Sequence, residues 1–107
     1  MGTTLHARVE VEDSIRWVEV AVFHFGKNYG LMRDVSDVAE ERDWPKDAWG
    51  RDAPQFDFPR GWCSGEDFMI ALGVRPGPEG AAEMAAHGTL TALRASGYTT
   101  RVLFWEL

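Results

Sequence analysis

Leu5-His6-Ala7-Arg8-Val9-Glu10-Val11-Glu12 decides the fold, because apolar and polar side chains alternate residue by residue along it. A period of two is the mark of a β-strand with one buried and one wet face. Asp13-Ser14 then reads as a short polar turn. Residues 17–25 read as a second extended run, rich in β-branched and aromatic side chains. Simple alternation puts Val18, Val20, Val22 and His24 on one face of that run and Trp17, Ala21, Phe23 and Phe25 on the other. A strand apolar on both sides lies inside a sheet or is covered on each face. Together the two runs predict an antiparallel hairpin.

After the hairpin, Gly26-Lys27-Asn28-Tyr29-Gly30 is a glycine-bracketed turn. Leu31, Val35, Val38 and Ala39 then recur at helical spacing opposite Asp34, Asp37, Glu40 and Glu41, which predicts an amphipathic helix of about three turns. Trp44-Pro45 stops it, since the residue before proline is pushed out of the α region. Residues 44–62 carry no long periodic element but hold Trp44, Trp49, Phe56, Phe58 and Trp62 among three prolines. Disordered linkers are poor in aromatics, so these rings are expected to pack over the second face of the 17–25 strand, with a short helical turn near 45–49. Residues 67–74 are too few for periodicity to decide and read as a buried strand. Beyond the break at 75–80, an alanine-rich helix is expected over 79–96, with Ala82, Ala86, Leu90 and Leu93 inward and Gly97 at its C′ position. Residues 98–107 form a last strand. The order is β-β-α-(long loop)-β-α-β: one α+β domain over 1–107, with a mainly antiparallel sheet of about four strands and two helices.

The composition narrows what such a domain does. At 107 residues the chain has room for one core, and 45% apolar content argues against disorder. Cys63 is the single cysteine, which excludes an intramolecular disulfide and a cysteine-only zinc site. No apolar run is long enough to span a bilayer, and no leader pattern is present, so the expected location is the cytoplasm. The net charge of −6 is concentrated: residues 34–57 hold eight carboxylates and three cations, a balance of −5. Such a field repels phosphate backbones, so direct nucleic-acid binding is disfavoured, and it suits a protein partner with a basic surface.

Catalytic and metal motifs are absent at sequence level. His6, His24 and His87 have no histidine or cysteine at a ligand spacing such as HxH or HExxH, so no metal site and no cofactor are expected. His6 and Glu10 share a strand face but lie about 13 Å apart. His24 reads as a core histidine, His87 as an exposed one, and Cys63 as a small buried hydrophobe. Gly61-Trp62-Cys63-Ser64-Gly65 lacks the strand-to-helix context of a nucleophile elbow. The stronger candidate is a binding surface made of Asp34, Asp37, Glu40, Glu41, Asp43, Trp44, Asp47, Trp49 and Asp52: indole anchors ringed by charge that steers encounter. The alternative for both tryptophans is to turn inward and finish the core.

Four short anchors, in order along the chain, resemble a group of uncharacterised phage and prophage proteins. Met1-Gly2-Thr3-Thr4-Leu5-His6-Ala7-Arg8-Val9-Glu10 is similar to their M-G-C-D-I-H-x-x-V-E start, and Gly26-Lys27-Asn28-Tyr29-Gly30-Leu31 to their G-R-N-Y-x-L turn. Pro59-Arg60-Gly61-Trp62 resembles a P-R-G-L segment, and Arg101-Val102-Leu103-Phe104-Trp105 their R-I-V-F-W close. The match covers about a third of the chain. Thr3-Thr4 stands where the group has Cys-Asp, and no H-S-H-S-W-like segment occurs, so only His6 of that polar set is kept. The resemblance implies a mobile-element origin and supplies no reaction.

The expectation is therefore a non-catalytic phage- or prophage-encoded accessory protein that docks its acidic helix and tryptophan loop on a basic host protein, in the manner of an anti-CRISPR-like inhibitor. Two alternatives stand beside it. One is a small enzyme with a pocket around His6, Glu10 and Cys63. The other is a homodimer that pairs through exposed tryptophans or the edge of the final strand.

Overall fold

The structure, a computed structural model, describes residues 4–40, 43–48, 60–73 and 80–106. Its elements are β1 (Leu5–Asp13), β2 (Arg16–Gly26), α1 (Tyr29–Val38), a 3₁₀ turn (Lys46–Ala48), β3 (Arg60–Ser64), α2 (Gly65–Leu72), α3 (Ala81–Ala95) and β4 (Thr100–Glu106). The four strands form one sheet in the order β2-β1-β4-β3, with every neighbouring pair antiparallel. The α+β class and the antiparallel sheet follow the sequence expectation.

One face of the sheet carries all three helices. Leu5, Ala7 and Val9 of β1, Val102 and Phe104 of β4 and Cys63 of β3 meet Leu31, Met32 and Val35 of α1, Phe68, Ala71 and Leu72 of α2, and Ala86 and Leu90 of α3. Asn28 caps α1, its Oδ1 accepting from the Leu31 amide at 3.1 Å. On α3 the predicted inward stripe is in place: Ala86 and Leu90 are buried, Ala82 and Leu93 pack against them, and Gly97 takes a positive φ of 90°.

Three local readings are corrected. Residues 67–72 belong to helix α2, and the third strand lies earlier, at Arg60–Ser64. Ser64 Oγ accepts from the Asp67 amide at 3.1 Å, Glu66 and Asp67 sit in the first turn, and Phe68, Ala71 and Leu72 bury at helical spacing while Ile70 is 74% exposed. That cap and acidic first turn outweigh the apolar run. In β2 the register slips: Val9 faces Ala21 but Glu10 faces Glu19, leaving Val20 as an extra residue. A bulge reverses the alternation beyond it, so Trp17 joins Val22 and His24 on one face while Val18 falls in with Ala21 and Phe23. The final strand β4 has no free edge, because it pairs with β1 on one side and β3 on the other. Edge pairing through it is closed off; β2 and β3 are the outer strands.

The second face of the sheet bears side chains in rows that cross all four strands. His24, His6, Trp105 and Arg60 form one row, Val22, Arg8, Leu103 and Trp62 the next, and Glu19, Glu10, Arg101 and Ser64 the third. Trp44 and Ala48 cover this face, packing on Leu103 with Trp62 and Trp105 alongside. Trp44 thus lies over β4 beside Trp62 of β3, where the sequence reading placed it over β2; Trp49, Phe56 and Phe58 of that reading lie outside the described residues.

Candidate functional site

The second face combines apolar cover with charge. Glu10 sits between two arginines: Arg101 Nε donates to Glu10 Oε1 at 2.8 Å, and Arg8 Nε lies 3.1 Å from Glu10 Oε2. All three residues are at most 7% exposed. Arg101 also makes a second pair with Asp47 at 2.7 Å and stacks over the Trp17 ring at 4.4 Å. Arg8 lies over the Trp44 ring at 5.1 Å, with Glu19 at 3.7 Å. Three ionised groups are brought out of water here, an arrangement stable only as a matched set.

The predicted binding residues divide by this network. Trp44 is 3% exposed and donates Nε1–H to the Phe104 carbonyl at 3.1 Å, so its indole closes the core. Asp43 pairs with Arg60 at 2.7 Å and Asp47 with Arg101. The hydrogen bond from Arg60 holds the Asp43 carboxyl below the usual aspartate range, and that from Arg101 does the same for Asp47. Asp34, Asp37 and Glu40 lie on and just after α1. Asp37 and Glu40 are exposed, and among the described residues no cation pairs with either. Asp34 is half-exposed, with Arg33 3.9 Å away. Glu41, Trp49 and Asp52 lie outside the described residues.

His6, Glu10 and Cys63 do not converge. His6 and Glu10 face the tryptophan side of the sheet, whereas Cys63 is fully buried on the helix side. Burial, followed by the Asp67 and Glu40 carboxylates, pushes the Cys63 thiol up to about 12, where no useful thiolate forms. An open groove of about 310 Å³ lies between the start of α2 and Tyr98, and its two charged side chains, Arg94 and Glu66, pair with each other at 2.9 Å.

His24 corrects the sequence reading: it is exposed, not a core residue. It stands directly opposite His6 across β1 and β2, their rings 4.6 Å apart at 83° with the two Nδ1 atoms facing each other. His6 stacks on Trp105 at 5.4 Å, and its Nε2 lies 2.9 Å from Thr4 Oγ1. Partial burial, then the neighbouring His24, lowers the His6 pKa. Sequence spacing could not find this pair, because 18 positions of hairpin separate its members. Among the described residues no group of three or more histidine, cysteine or acidic side chains is placed to hold a metal ion. No described helix is long and apolar enough to cross a membrane. No family model, curated protein or solved structure matches the chain.

Proposed function

We propose that this domain is a non-catalytic binding module that docks the acidic end of α1 on a basic protein surface. The observation that carries the reading is the sorting of its carboxylates. Those near the sheet, Glu10, Asp43 and Asp47, are each spent on an arginine. Asp37 and Glu40 are left exposed at the C-terminal end of α1, where no basic residue occupies the last turn. The helix dipole places partial negative charge at that end, so acids there cost stability. A position where acids work against folding, yet stay solvent-facing, is one suited to an outside cation. A nucleic-acid-binding site of a host defence complex has that chemistry, and the likeness to phage proteins favours such a target. The sheet's separation of Cys63 from His6 and Glu10 weighs against the enzyme alternative.

The test is capture from host lysate by the wild type, by D37K/E40K and by E12K/D13K, which makes the same charge change at the exposed β1–β2 hairpin. The reading expects a captured protein that D37K/E40K loses and E12K/D13K retains. Capture unaltered by D37K/E40K, or lost equally in both variants, removes the α1 surface as the site.

A further inference from the structure

The hairpin brings two imidazoles together on the second face, and no part of the binding role above uses them. Cross-strand neighbours on one face have Cβ atoms about 5 Å apart, close enough for two histidines to reach one ion. In His6 the far nitrogen is already engaged: Nε2 lies 2.9 Å from Thr4 Oγ1. With the Nε2 proton donated to that hydroxyl, the tautomer leaves the Nδ1 lone pair free, the way outer hydrogen bonds orient metal-binding imidazoles. The indole of Trp105, stacked at 12° to the ring, holds its plane. Free Nδ1 then faces Nδ1 of His24. With its proton on Nδ1 the His24 ring donates to the His6 lone pair; with its proton on Nε2 the two Nδ1 lone pairs meet, and a cation between them relieves the repulsion.

We propose that His6 and His24 form a two-point site for a transition-metal dication of the zinc, nickel or copper class, held through both Nδ1 atoms. Imidazole nitrogen is the ligand these ions favour over magnesium or calcium. Metal–nitrogen bonds of about 2.0–2.1 Å at a tetrahedral angle need the nitrogens about 3.3 Å apart. The exposed His24 ring can swing outward to give that spacing while His6 stays clamped by Thr4 and Trp105. No third protein ligand converges among the described residues, so water fills the other positions and the ion is exchangeable. The open positions would accept a ligand atom from a bound molecule.

The experiment is calorimetric titration of the full chain, freed of metal by chelator, with nickel chloride and separately with zinc sulfate, together with melting at each metal concentration. The proposal expects one ion per chain and a melting temperature that rises with metal by mass action. Both effects should vanish in His24→Ala and persist in His87→Ala, each variant being compared with its own metal-free melting temperature. Absence of saturable heat with either metal would leave a shared proton as the link between the rings and overturn the proposal. So would binding that survives His24→Ala or is lost in His87→Ala.

Discussion

Glu10 is the carboxylate on which the second face of the sheet depends, and its replacement has a calculable cost. In Glu10→Ala, Arg101 keeps Asp47 at 2.7 Å but loses the buried 2.8 Å bond to Glu10. Arg8 fares worse, since among the described residues Glu19 at 3.7 Å and the Trp44 ring are what remain near it. Removing one partner of a buried ion pair costs about 3–5 kcal/mol, mostly as the penalty of the charge left behind. The expected loss for Glu10→Ala is therefore about 3–5 kcal/mol. For Glu10→Gln it is about 2–3 kcal/mol, because the amide oxygen still accepts from Arg101. At about 4 °C per kcal/mol, the alanine variant melts more than about 10 °C lower. Urea unfolding followed by circular dichroism measures this, with an unchanged slope locating the effect in the folded state. The triple variant R8M/E10L/R101M, which removes the charges together, should recover most of the loss. A Glu10→Ala loss below about 1 kcal/mol, the value of a solvated surface pair, would refute the claim that these groups are desolvated.

Two further outcomes follow from the packing and the charges. Asp47 has a folded pKa below its unfolded one, held down chiefly by the hydrogen bond from Arg101, so its contribution is present above about pH 4 and fades as pH falls through the folded value. Asp47→Asn should lower the urea midpoint at pH 7 and flatten its decline between pH 5 and 3; an unchanged acid limb contradicts the pairing. A Cβ at Gly65 would overlap Thr100 Oγ1 and stand 2.8 Å from Thr100 Cβ. Gly65→Ala should cost about 1–3 kcal/mol, with part regained in G65A/T100A, as a double-mutant cycle would measure.

Alternation alone carried the hairpin, and helical spacing carried α1 and α3, because each pattern repeats over enough residues to fix a period. The strand reading of residues 67–74 fails because so short an apolar-rich run fits either period, and the deciding signal is the Ser64–Asp67 cap at its start. The face assignment in β2 failed at Val20, since a bulge leaves no mark in an unbroken apolar run. At the candidate site, charge count located the acidic segment but could not separate carboxylates matched by distant arginines from those left in solvent. Arg60 and Arg101 are 17 and 54 positions away from the aspartates they neutralise. Trp44 closes the core for the same reason: its pocket is built by Leu103 and Trp105 from the far end of the chain.

The thermal stability of D37K/E40K tests the central claim, that the acids at the end of α1 serve an outside partner and contribute nothing to folding. Lysine at a helix C-terminus is worth about 0.3–1 kcal/mol relative to an uncharged residue, so the variant should melt at or above the wild-type temperature while Asp47→Asn melts below it. A fall of several degrees in D37K/E40K would mean that these carboxylates hold the domain together, and the docking surface would lose its basis.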